Sequence, residues 1–227
     1  MTARYDEKAW KALTEQNGGE NNPQVGDIGH AYDNMANGGW QHAYRQNIIK
    51  WVWEIYAFDE NDYKASGVLD IGCNQGQYLR KLREVGINEA LTGVDVNLDS
   101  IEAGKDECAA KNIKLSEGDA RKLSFGDKQF HTVLLLGVLM HMPDPVEVLN
   151  EAARVAGSHL IVSSYGRSSR QGDQARFMWT AGFLNYYYTK EEVEEFISQC
   201  EGRWSLEMFM SFEIGPHPVY QYKFKRL

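Results

Sequence analysis

Short apolar runs alternate with stretches whose apolar residues recur every three or four positions, and this rhythm holds over most of the chain. Val68 to Ile71, Leu91 to Val96, Ile113 to Ser116, His131 to Leu136 and His159 to Ser164 read as buried strands. Between the first two, Leu79, Leu82 and Val85 fall at helical spacing, and Gly86 marks a helix stop. The next helix opens with Asp99 and Glu102 in capping-box spacing, which makes Asp99 the expected cap. Pro143 and Pro145 mark a loop before a helix over Val146 to Val155. Upstream, Trp40, Tyr44, Ile48, Trp51, Val52 and Ile55 predict a helix running to about Phe58. Downstream, Thr189 to Cys200 is a helix capped by Thr189 with Glu192, and Trp204 to Phe212 and Val219 to Phe224 are strands joined through Gly215 to Pro218. Strands alternating with helices in this way predict an α/β, doubly wound parallel sheet that binds its ligand at the carboxyl ends of the strands.

Composition narrows the classes. The 227 residues suit one domain, with residues 1–60 as an N-terminal flap and helical cap and 61–227 as the main domain. Met1 to Gly29 is rich in Asn, Gly, Gln and Glu without apolar periodicity, and is expected to be loop or flap. The longest apolar run, Val133 to Met140, is too short to span a bilayer, and Met1 to Lys11 is polar and mixed in charge; the expected location is cytoplasmic, away from membranes. Cys73, Cys108 and Cys200 are far apart and suggest neither a disulfide framework nor a zinc site. A formal net charge of −8 disfavours a phosphate-tracking surface, so a nucleic-acid partner is not expected.

The chemistry concentrates in Ser66 to Tyr78, a strand that turns through Gly72 and Gly76 into a helix, with Asp70 at the strand's end. Glycine admits backbone angles closed to other residues, lets a ligand approach the main chain, and here precedes a helix start rich in N–H donors. A dinucleotide fingerprint counted from Gly72 needs glycines where Asn74 and Gln77 stand. The turn instead resembles the first motif of the class I S-adenosylmethionine-dependent methyltransferases, [DE]-x-G-x-G-x-G, through Asp70, Gly72, Asn74 and Gly76, with Cys73 inside it. Asp95, near the end of the second strand, is placed to accept from ribose hydroxyls, chemistry that serves any adenosine-bearing cofactor.

The resemblance implies more. It implies a mostly parallel seven-stranded sheet with an antiparallel last strand, and S-adenosylmethionine as cofactor. Asp95 becomes the ribose acid, with Val96 and Asn97 beside it. Asp119 accepts from the adenine amino group while the Ala120 N–H reaches a ring nitrogen, and carbonyls near Leu136 and Gly137 receive the cofactor's amino group. His141 takes the position of a base facing the sulfonium. The sequence departs from the family at His131, where Asp is common, and at Met140, where Glu or His often precedes the matching histidine.

On the acceptor side, an insert at about residues 165–188 carries Arg167, Arg170 and Arg176 with Trp179, and Tyr32 and Trp40 stand near the start of the N-terminal helix. Arginine suits bidentate binding of carboxylate or phosphate, and aromatics can wall a pocket. The expected reaction is methyl transfer to an O or N atom of a small polar, anionic acceptor. An RNA-modifying methyltransferase, an NAD-dependent reductase and a non-catalytic cofactor-binding protein remain alternatives. No cluster with metal-ligand spacing is present, so no metal is expected.

Overall fold

A computed structural model describes residues 43–58, 66–167, 177–180, 183–214 and 217–227. The helix expected upstream is α1, Ala43–Phe58. The alternating core follows: β1 Val68–Ile71, α2 Gln77–Glu84, β2 Leu91–Asp95, α3 Leu98–Ala109, β3 Ile113–Glu117, β4 Phe130–Leu136, a 3-10 turn Leu139–His141, α4 Val146–Val155 and β5 Ala156–Tyr165. The insert holds β6 Phe177–Thr180 and β7 Phe183–Tyr186, paired antiparallel from Phe177 opposite Tyr186 to Thr180 opposite Phe183. The chain closes with α5 Lys190–Gln199, β8 Trp204–Ile214 and β9 His217–Arg226.

Seven strands form one sheet in the order β3-β2-β1-β4-β5-β9-β8. β1 lies parallel to both β2 and β4, with Val68 opposite Leu91 on one side and Thr132 on the other. β9 runs antiparallel to β5 and to β8, so it is the one strand of this sheet reversed against the rest. The strand order changes direction between β1 and β4, and there the helices diverge and leave a crevice at the carboxyl ends.

Alternation along each strand splits the core into two layers. Leu69, Ile71, Val133 and Leu135 pack with α4 and α5 through Val148, Leu149, Val193 and Ile197. Val68, Leu134 and Ile161 pack with α2 and with Ile48, Trp51, Val52 and Ile55 of α1. The predicted stripe of α1 is therefore part of the main core, and only its first turn approaches the carboxyl ends.

Two expectations need correction. The cap of α3 is Asn97, whose Oδ1 accepts from the Ser100 N–H at 3.2 Å, and Asp99 lies inside the first turn. β5 begins at Ala156, three residues earlier than His159, because α4 passes directly into strand conformation and Phe130 already pairs with Ala156. Among the described residues, no helix is long and apolar enough to cross a membrane.

Candidate active site

The glycine turn is built from left-handed backbone. Gly72 has φ +73° and Gly76 φ +76°, and Asn74 between them has φ 50°. Space demands glycine as well: a Cβ on Gly72 would lie 2.4 Å from Val138 Cγ2, and one on Gly76 2.7 Å from Cys108 Sγ. Asn74 tolerates its angle with help from its own Oδ1, which accepts the Gln75 N–H at 2.8 Å. The Gly72 and Cys73 N–H groups both donate to the Val94 carbonyl, at 2.8 and 3.0 Å, binding the turn to β2.

Asp95 completes that link. Its Oδ2 accepts from the Asn74 N–H at 2.8 Å and its Oδ1 from the Asn97 N–H at 2.9 Å, so one carboxylate joins the turn, the end of β2 and the start of α3. Val96, next to it, is 71% exposed, an apolar side chain standing in solvent beside a carboxylate. Asp70 is 2% exposed, at the third position of β1. Burial, and then the charge of Asp95, pushes its pKa up to about 8. Burial also holds the Cys73 thiol well above its usual range. A buried acid with a raised pKa is a place for a cation, and an exposed apolar flank is a place for a ring.

Asp119 stands in the turn after β3. Arg121 Nε and Nη2 grip both of its oxygens, at 3.0, 3.1 and 2.7 Å, and hold its carboxyl below the usual range. Ala120 is partly buried against the core. β4 ends at Leu136 in a left-handed Gly137, φ +70°, whose N–H donates to Ser163 Oγ at 3.1 Å. His141 ends the 3-10 turn; burial lowers its pKa while the charge of Asp95 opposes the shift, which puts the ring within electrostatic reach of that acid.

Tyr32, Trp40, Arg170 and Arg176 lie outside the described residues, and Trp179 is placed only by its backbone, on β6 opposite Leu184. Arg167 is 4% exposed; its Nη2 donates to Glu192 Oε1 at 2.7 Å and its Nε to the Tyr187 carbonyl at 3.1 Å, fixing the insert to α5. Tyr187, one of the insert's aromatics expected to wall a pocket, stacks on Tyr165 at the end of β5, and near them stand residues with no such expectation attached: Tyr44 and Arg45 on α1 and Tyr78 on α2. The one signal was the position of Arg45 directly after Tyr44, at the edge of the apolar stripe of α1.

Residues 69–161 match a family model described as a methyltransferase domain. Demethylmenaquinone methyltransferase of Staphylococcus aureus is 31% identical over 140 residues, which are 54% of this chain and 58% of that protein. The match thus spans little more than half the length of that relative. Among solved structures, a SAM-dependent methyltransferase of Methanosarcina mazei is 19% identical with a TM-score of 0.60, over 70% of this chain and 92% of that one. Magnesium protoporphyrin IX methyltransferase of Synechocystis PCC 6803, solved with bound SAH, is 15% identical with a TM-score of 0.63, over 98% and 96% of the two chains. At these identities the structural likeness speaks for the fold.

Proposed function

We propose that the protein, whose residues 69–161 match a methyltransferase domain, is a class I, S-adenosylmethionine-dependent methyltransferase that methylates an oxygen of a small, polar, anionic acceptor. When bound, S-adenosylmethionine supplies a methyl group on a positively charged sulfur, which leaves as a neutral thioether. The carrying observation is Asp70, a buried carboxyl with a raised pKa, two residues before the first left-handed glycine of the turn. A cation held above the turn supplies the countercharge that burial denies it.

The neighbouring residues suit the rest of such a ligand. Asp95 has lone pairs beyond its two backbone bonds and would accept from ribose hydroxyls, with Asn97 holding the loop behind it. Val96 offers an apolar surface to adenine, and Asp119, released from Arg121, accepts from its amino group while the Ala120 N–H reaches the ring. The carbonyls of Leu136 and Gly137 receive the amino group. His141 is kept neutral by its burial and takes the proton of a hydroxyl acceptor as the new C–O bond forms and the C–S bond breaks. An ionised carboxylate acceptor needs no such base. Since the leaving group is already activated, the protein's work is in-line positioning and exclusion of water.

Calorimetric titration with S-adenosylmethionine, S-adenosylhomocysteine and NAD, repeated on Asp95→Ala, tests the reading. Micromolar binding of the first two, lost in the variant, is expected. Binding of NAD alone overturns it.

A further inference from the structure

Above β5 and β9 stands a group of side chains for which the cofactor has no use. The first turn of α1 is clasped to β9: Asn47 Nδ2 donates to Gln221 Oε1 at 2.9 Å, and Gln221 Nε2 donates to the Tyr44 carbonyl. Gln221 is fully buried and pairs with Ser163, two residues short of the end of β5. The clasp therefore holds Tyr44 and Arg45 at the acceptor end of the crevice. Arg45 Nε donates to Tyr44 Oη at 2.8 Å, and its guanidinium carbon lies 5.5 Å from the centre of that ring.

The floor beside it is aromatic. Tyr165 stacks on Tyr187 with ring centres 5.6 Å apart and planes 17° from parallel, and Tyr187 in turn meets His217 at 4.2 Å. His217 Nδ1 is buried without a hydrogen-bond partner among the described residues. On the other side, Tyr78 is the second residue of α2, just after the glycine turn. Burial raises both the Tyr78 and Tyr165 phenols, and the charge of Arg45 pulls against that rise in each, so the guanidinium is within electrostatic reach of both.

We propose that Arg45 is the anion receptor of the acceptor site and that the acceptor is a flat aromatic carboxylate, its ring against Tyr165 and its acid group in the Arg45 fork. This rests on the methyl-transfer reading and names the substrate class for it. The planar guanidinium matches a carboxylate in two parallel hydrogen bonds, which a lysine cannot do. Tyr165 is backed by Tyr187, so a ring laid on it meets a rigid face. His217 Nδ1 is a polar atom that a ring substituent would satisfy. An anion approaching a crevice that already holds Asp95, on a chain of net charge −8, is drawn in by a local cation.

The test is fluorescence titration of the cofactor-free protein with 2-hydroxybenzoate, and with benzyl alcohol as the uncharged ring, on wild type, Arg45→Ala and Arg45→Lys. A hydrogen bond to a charged group carries about 1.5–3 kcal/mol, or roughly ten- to a hundredfold in affinity. Binding of 2-hydroxybenzoate is expected to weaken at least about tenfold in Arg45→Ala and by an intermediate factor in Arg45→Lys. Benzyl alcohol is expected to show no dependence on residue 45. The proposal falls if wild type does not bind 2-hydroxybenzoate, or if Arg45→Ala binds it as wild type does. S-adenosylhomocysteine, titrated separately on the same proteins, is expected to bind all three alike. If it fails to bind wild type while the benzoate result stands, the methyl-transfer reading is lost and the anion site is kept.

Discussion

Gly104→Ala sets two ordinary effects against each other, and the structure decides the sign. Gly104 is buried in the middle of α3, where alanine is the better helix former by about 1 kcal/mol. A Cβ there would lie 2.4 Å from the Gln75 carbonyl oxygen and 2.8 Å from both its carbon and its Cα. Those atoms are main chain, and the turn they belong to is fixed. Arg80 Nη1 donates to the same carbonyl at 2.8 Å, and the neighbouring Asn74 N–H is held by Asp95. Overpacking typically costs about 1–3 kcal/mol, and a rigid neighbour puts this case at the upper end. The net loss is about 2 kcal/mol, which for a chain of this size lowers the melting temperature by about 4–8 °C. Because the displaced residue carries Asn74 with it, affinity for S-adenosylhomocysteine should fall as well. Thermal melts with and without that ligand measure both. A melting temperature that rises, as helix propensity alone demands, with unchanged affinity would refute the claim that α3 is packed against the turn through a bare backbone.

Other outcomes follow from single groups. Asp70 keeps its proton in the folded protein from about pH 4 to about 8, where the unfolded carboxyl is ionised, so its contribution to stability declines as pH rises through that window and levels off above it. Asp70→Asn should therefore gain in melting temperature on wild type between pH 5 and pH 8; a difference constant across that range would show that the carboxyl is ionised throughout. Arg167→Ala should cost about 3–5 kcal/mol by leaving Glu192 and the Tyr187 carbonyl unmatched around a buried vacancy, a melting temperature lower by about 10 °C or more, whereas Arg45→Ala should melt close to wild type. Equal melting temperatures for the two would contradict the burial of Arg167. With a hydroxyl acceptor, His141→Ala should cut turnover about a hundredfold or more, and the acid limb of the wild-type profile should lie below the ordinary histidine range because burial lowers its pKa. A loss smaller than about tenfold would remove His141 from proton transfer.

Residue type exposed the glycine turn to a reader of the sequence. Gly72, Asn74 and Gly76 are the kinds of residue that accept positive φ, and all three have it. Asp95 was legible from its place at the end of a strand. The cap of α3 was not: Asn97, Asp99 and Ser100 are all capping types, and the capping-box spacing favoured Asp99. The helix instead starts at Leu98, half exposed and outside any apolar stripe, because β2 ends only three residues earlier. The insert's aromatics read as pocket wall, and Phe177 and Tyr186 instead pair across a two-stranded hairpin that no run of aromatics signals. Arg167 looked like a ligand's arginine until Glu192, 25 residues further on, was found against it. Arg45 gains its meaning from Gln221, and no local pattern connects residues so far apart.

The Gln221 clasp also sets a timetable. A nascent chain offers α1 first, but the side chain that orients its first turn is made 174 positions after Asn47. β1, β2 and β3 pair in sequence-adjacent steps, so the strands that carry the glycine turn and Asp95 can assemble as soon as they emerge. β9 is the final strand and enters between β5 and β8, so the turn bearing Tyr44 and Arg45 can lock only when the whole sheet is complete. In pulsed hydrogen exchange during refolding, amides around residue 94 should gain protection before those at the start of α1. A molecule caught partway would hold its methyl donor with nothing yet built to receive the methyl.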